Sequence, residues 1–324
     1  MDIYVKKAII HQFSPDDTDL YLADKFLNIT PKIEEYLRKK IERVYSDEAR
    51  TGIFEEDNPF LEMISDDLLE TSVAVANRWK EEFVVSENQK TNDLVFVQFS
   101  KEGVEHFAFL RIALRETLTH LGGEVDNPIK LTQNNLPGFG TGADEALVIN
   151  LQSRKYHLIE KRIKYNGTFL NYFSENLLQV QPKISPKKSI KALEKTAQKI
   201  AESFNTDDFQ FQSKVKSAIF NHIEEENKLS PEKLADDLFD DNLTARLSFI
   251  DQVKEAVPEP VTFEEIDASR QLKKFENQKL SLSNGIELIV PNNVYEDAES
   301  VEFILNEDGT YSILIKNIED IQSK

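Results

Sequence analysis

Arg154–Lys199, RKYHLIEKRIKYNGTFLNYFSENLLQVQPKISPKKSIKALEKTAQK, is the stretch where this chain changes character. It begins as a strand, Tyr156–Ile163, rich in β-branched and aromatic side chains. It breaks at Gln181-Pro182-Lys183-Ile184-Ser185-Pro186, where two prolines resist continuation of any helix. It resumes as a helix, with Ser185 as the cap and Pro186 at the first helical position. The same stretch concentrates positive charge. Arg154, Lys155, Lys161, Arg162, Lys164, Lys183, Lys187, Lys188, Lys191, Lys195 and Lys199 stand against Glu160, Glu175 and Glu194, which leaves +8. The whole chain carries −19, so the remainder holds −27. Such a contrast points to a polyanion site in a body that otherwise repels polyanions; a solvated linker and helix face is the competing reading.

The 324 residues are enough for two or three domains with sizeable cores, and 40% hydrophobic residues is a globular value. The absence of cysteine removes disulfides, thiolate metal sites and cysteine nucleophiles, and it suits a reducing compartment. MDIYVKKAIIHQF does not read as a signal peptide, and no apolar run approaches the ~20 residues of a membrane span. A soluble, cytoplasmic protein is expected.

Upstream of the break, residues 3–13 read as a strand and Leu20–Ala23 as its return. A helix follows Thr30-Pro31, with Ile33, Leu37, Ile41 and Val44 on one face; Lys39, Lys40 and Arg43 near its end are accounted for by the helix dipole. A second helix is expected over about Ser65–Asn88, carrying the lone Trp79. Leu94–Phe99 and His106–Leu114 form a hairpin about Lys101-Glu102-Gly103, and Ala146–Leu151 pairs with Tyr156–Ile163. Gly122–Gly142 reads as a surface loop between these pairs.

Downstream, helices are expected at Pro186–Phe204, Asp207–Glu226, Ser230–Asp240, Leu243–Ala256 and Thr262–Phe275. Hairpins follow at Asn284-Gly285 and Asp308-Gly309, dipeptides that tolerate positive φ. The fold class is therefore α+β. An α+β domain with antiparallel strands and two long helices spans 1–180, a linker 181–186, a helical region 187–261, and a small antiparallel β domain 262–324.

Little here points to catalysis. Pro137-Gly138-Phe139-Gly140-Thr141-Gly142 has alternating glycines, but it lacks the preceding strand, following helix and Lys-Ser or Lys-Thr pair of a phosphate loop. The five histidines have no metal-ligand spacing, and His11, His106 and His157 read as core or sheet residues. Asp144, Glu160 and Lys161 only faintly evoke a metal-dependent nuclease, because the usual Glu-x-Lys spacing is absent: Arg162 stands at that offset from Glu160. No catalytic residue, metal site or cofactor is assigned. Ser230–Ala256 could be a helix-turn-helix, but Glu224–Asn242 carries eight acids and only Lys228 and Lys233, a net −6 that phosphates would repel. That acidic surface, Glu224–Asp241, suits a protein partner.

The helix from Pro186 is different. Lys187, Lys191, Lys195 and Lys199 recur every four residues, with Lys188 beside them, while Ile190, Leu193, Ala197 and Ile200 form the opposite, buried side. Lysines along four turns can track a phosphate backbone without reading bases.

The chain also resembles the bacterial 37-kilodalton nucleoid-associated proteins. The resemblance is carried by Ile3, Ala8–Gln12 (AIIHQ), Arg43-Val44-Tyr45-Ser46, Gly52, Phe54, Phe96-Val97, Arg162–Leu177 (RIKYNGTFLNYFSENL), Gly285-Ile286-Glu287-Leu288 and the Asp308–Ile315 hairpin, in order over nearly the full length. It implies a cytoplasmic location and association with the nucleoid, and it brings no catalytic motif. The function expected is a non-enzymatic protein that binds double-stranded DNA without sequence preference. The DNA-binding residues would be Arg154, Lys155, Arg162, Lys164, Lys183, Lys187, Lys188, Lys191, Lys195 and Lys199. The alternative is an acidic adaptor reaching nucleoid proteins through Glu224–Asp241. No membrane partner is expected; a homo-oligomer stays open.

Overall fold

The structure is a computed structural model describing residues 2–16, 18–85, 90–120, 129–165, 167–205, 209–263 and 268–322. The chain divides into two compact units, Met1–Ser185 and Pro186–Lys324.

The first unit contains β1 (Ile3–Ser14), β2 (Asp19–Tyr21), β3 (Arg50–Ile53), β4 (Asn92–Lys101), β5 (Val104–Ala113), β6 (Arg115–His120), β7 (Ile129–Asn135), β8 (Glu145–Asn150), β9 (Lys155–Ile159), β10 (Ile163–Tyr165) and β11 (Thr168–Leu170). Its helices are α1 (Pro31–Glu42), α2 (Pro59–Glu62) and α3 (Leu68–Phe83), with a π-helical turn at Phe173–Leu177. Seven strands make one antiparallel sheet in the order β2-β1-β4-β5-β8-β9-β3.

The central strands are apolar almost without interruption because both faces of the sheet are covered. Leu94 and Phe96 of β4, Phe107 and Phe109 of β5, and Leu147 and Ile149 of β8 pack with Val75, Trp79 and Phe83 of α3. Their alternate neighbours Val95, Val97, Ala108, Leu110, Ala146 and Val148 pack with Leu37 and Ile41 of α1. Period-two alternation thus feeds two cores instead of one core and solvent. The β4–β5 turn is fixed by Glu102 and Gly103, at φ of 54° and 83°. Thr30 caps α1 by accepting from the Ile33 N–H, and Asp67 caps α3 by accepting from the Leu69 N–H.

Two expectations change here. Gly122–Gly142 is not all loop: Ile129–Asn135 is a strand, pairing with β6 in a separate two-stranded ribbon, while residues 122–128 lie outside the described residues. IKLTQNN carries little apolar signal of its own, and the pairing supplies what is missing, through Leu118 opposite Leu131 and a 3.0 Å contact between the Thr119 and Thr132 hydroxyls. The second helix begins at Leu68, not Ser65; residues 86–88 of the expected range lie outside the described residues.

The second unit holds α4 (Pro186–Ser203), α5 (Phe209–Glu226), α6 (Pro231–Leu238), α7 (Leu243–Ala256), α8 (Ser269–Phe275) and α9 (Asn292–Tyr295). Its strands are β12 (Lys228–Leu229), β13 (Val261–Thr262), β14 (Asn277–Ser281), β15 (Glu287–Pro291), β16 (Val301–Leu305) and β17 (Tyr311–Ile315). Ile190, Leu193, Ala197 and Ile200 of α4 are buried in one core with Ile219, Leu234 and Phe249. The helix expected over Thr262–Phe275 starts at Ser269, because Val261–Thr262 bridges to Lys228–Leu229; residues 264–267 lie outside the described residues, as do 207–208 before α5. The terminal hairpins β14–β15 and β16–β17 form two separate sheets. The first is pinned to α5 by buried Gln278, whose amide donates to Asn292 Oδ1 at 2.7 Å and to the Ser213 carbonyl at 3.2 Å.

Candidate nucleic-acid interface

The ten cations expected to meet DNA fall into separate groups. In the first unit, Arg154, Lys155 and Lys183 gather around β3. Lys155 pairs in register with Ile53, the Arg154 carbonyl accepts from Phe54 N–H at 3.0 Å, and Lys183 N–H donates to the Thr51 carbonyl at 2.8 Å. The Arg154 side chain is spent on Glu56, at 3.4 Å. Arg162 and Lys164 belong to the β10–β11 hairpin, where Arg162 Nη2 donates to the Phe169 carbonyl at 2.7 Å. The Arg154 and Arg162 side chains thus have local work that the sequence did not show.

The other five lie on α4 in the second unit. Burial of Ile190, Leu193, Ala197 and Ile200 turns the opposite face to solvent, so Lys188, Lys191, Lys195 and Lys199 are exposed. Lys187 is half-buried, which moves the start of the lysine row to Lys188. Lys199 Nζ donates to Gln252 Oε1 at 2.9 Å. Glu194 is drawn off by Lys274, at 3.6 Å. Among the described residues Lys188, Lys191 and Lys195 have no ion-pair partner, so three ammonium groups on successive turns present their charge outward.

A family model described as nucleoid-associated protein YejK matches residues 9–321, nearly the whole chain. The chain belongs to this nucleoid-associated family. No curated protein matches it. Among the described residues no helix is long and apolar enough to cross a membrane.

Within this nucleoid-associated chain the acidic surface Glu224–Asp241 is exposed, but half of its acids sit against basic side chains. Glu226 pairs with Lys233 at 2.5 Å, Asp236 with Arg246 at 3.0 Å, Asp237 with His222 at 2.7 Å and Asp240 with Lys214 at 3.0 Å. The residues that faintly evoked a nuclease are also engaged. Lys161 pairs with Asp144 at 3.0 Å, while Glu160 is buried, ion-paired to Arg50 and accepting from Ser174 N–H at 3.0 Å and its hydroxyl at 2.8 Å. Among the described residues no group of three or more His, Asp or Glu gathers to hold a metal ion.

Lys40 is the cation whose task the sequence concealed. It shares its helix end with Lys39, which pairs with Glu42 at 3.1 Å, but its own side chain is buried. Its ammonium donates to the carbonyls of Pro137, Gly138 and Thr141 at 3.3, 2.9 and 2.5 Å and lies 4.4 Å from the Tyr36 ring centre. Its partners lie about a hundred residues downstream, so no local pattern marks it.

Proposed function

We propose that this chain is a non-enzymatic cytoplasmic protein of the bacterial nucleoid that binds double-stranded DNA, with little sequence preference, through the lysine face of α4. The observation that carries the reading is the row Lys188, Lys191 and Lys195, exposed and without ion-pair partners among the described residues, on a helix whose other side is anchored in a core. Lysine is a flexible point charge, suited to phosphates and poorly suited to forked recognition of guanine. The overall −19 disfavours DNA over most of the remaining surface. The adaptor reading is the weaker one, since three acids of Glu224–Asp241 are already paired with Lys214, Lys233 and Arg246 and a fourth, Asp237, is held by His222.

The test is duplex affinity against salt, by fluorescence anisotropy, for the native chain and for K188E/K191E/K195E. Three or four phosphate contacts give a log–log slope of about −3 to −4. The variant is expected to flatten that slope by about 3 and to bind far more weakly. Binding that ignores both salt and the substitutions would overturn the proposal.

A further inference from the structure

Lys40 fixes which way the loop Pro137–Gly142 faces. The carbonyls of Pro137, Gly138 and Thr141 all point at its ammonium. These peptides are trans, so each following N–H points the opposite way. The N–H groups of Gly138, Phe139 and Gly142 therefore face away from Lys40, and among the described residues none of them has a hydrogen-bond partner. Gly138 and Phe139 are exposed. A Cβ at Gly138 or Gly140 would meet nothing within 4 Å, so the outer side of the loop is open to a ligand. Exposed peptide N–H groups that the fold leaves without a partner are available to donate to an anion.

The rim of the loop is cationic. Arg43 follows the end of α1, and its Cδ lies 3.7 Å from where a Gly142 Cβ would stand. Arg115 opens β6 opposite Asn135, two residues before Pro137. Both arginine side chains are exposed and have no ion-pair partner among the described residues. Burial first, then Arg43 and Arg115, hold the Lys40 ammonium down at about 8 against the opposing charge of Asp144. That carboxylate also pairs with Lys161 at 3.0 Å and accepts from the Ala113 N–H at 2.9 Å. Beside this rim the Phe139 ring is 44% exposed, held edge-on against Tyr36 at 5.5 Å.

We propose that the Pro137–Gly142 loop, rimmed by Arg43 and Arg115, binds the phosphate of a nucleotide unit, with the exposed face of Phe139 taking the attached base. Arginine forks suit phosphate oxygens, and an aromatic face accepts any base. The site lies in the first unit and does not rest on the lysine face of α4. The alternating glycines, which the sequence could not read as a phosphate loop for want of a flanking helix, acquire a role once Lys40 is seen to orient the peptides.

The test uses the full chain and isothermal titration with inorganic phosphate, adenosine monophosphate and a short single-stranded oligonucleotide, each at low salt. The K188E/K191E/K195E background isolates this site from α4. R43Q/R115Q is expected to lose about tenfold or more in affinity for every ligand bound. F139A is expected to weaken the nucleotide and oligonucleotide while sparing inorganic phosphate. Tight binding of the mononucleotide would identify a free nucleotide as the source of the phosphate. Binding of the oligonucleotide alone would identify a nucleic-acid strand. If Trp79 fluorescence shows R43Q/R115Q folded and no ligand distinguishes it from the parent, the proposal is overturned.

Discussion

Arg111 and Glu145 face each other across β5 and β8 in the sheet interior, with side chains 2% and 0% exposed. Arg111 Nε donates to Glu145 Oε2 at 2.7 Å and its Nη1 donates to Asn92 Oδ1 at 2.9 Å. The Tyr172 hydroxyl donates to the same carboxylate oxygen and accepts from the Trp79 indole N–H at 3.0 Å. Arg111→Met would leave a carboxylate buried without its counter-ion, and breaking a buried pair on one side costs about 3–5 kcal/mol. Arg111→Met/Glu145→Met removes both charges and leaves the Tyr172 hydroxyl without an acceptor, a cost of about 1–3 kcal/mol. The double variant should therefore be more stable than the single one, with a coupling of about 2 kcal/mol or more. Urea unfolding followed by fluorescence reports it directly, since Trp79 is the only tryptophan and sits at the end of this network. A loss below about 1 kcal/mol for Arg111→Met, or a double variant as unstable as the two singles summed, would refute the reasoning.

His11 gives a pH dependence of definite sign. Its Nδ1 accepts from the Ala23 N–H at 3.1 Å and its Nε2 meets the Ser72 hydroxyl at 2.9 Å, so the buried ring is neutral, and burial lowers its pKa from 6.5 to about 4. The unfolded chain binds the extra proton first, so this contribution is complete above pH 6.5 and falls by about 3 kcal/mol as pH drops to 4. The difference between the stability–pH curves of the native chain and His11→Gln should show that fall. Gly52→Ala would drive a Cβ into the buried Tyr156 ring and should cost about 1–3 kcal/mol in urea unfolding. Lys40→Met should cost about 1–3 kcal/mol and speed hydrogen exchange at Thr141, whose N–H donates to the Gly138 carbonyl at 3.0 Å.

Much of this was legible because it is local. The i, i+3, i+4 spacing of Ile190, Leu193, Ala197 and Ile200 dictates which side of α4 is buried and so which lysines face water. The turns at Glu102-Gly103, Asn284-Gly285 and Asp308-Gly309 follow from residues that accept positive φ; Gly103, Gly285 and Gly309 stand at 83°, 86° and 81°. The apolar runs of β4 and β5 announced strands, and the α+β class with them.

What the tertiary structure alone decided is which distant segments meet. β1 lies against β4 from Ile3 opposite Lys101 to Phe13 opposite Asn92, and β3 against β9 from Arg50 opposite Leu158, pairings with no signature in either strand. The ribbon partner of β6, the pairing of Arg111 with Glu145 and the seat of Lys40 under the Pro137–Gly142 loop are of the same kind. Periodicity and turn chemistry act over a few residues and determine elements and faces. Register and buried charge pairing depend on partners tens of residues away, and only the assembled core selects them.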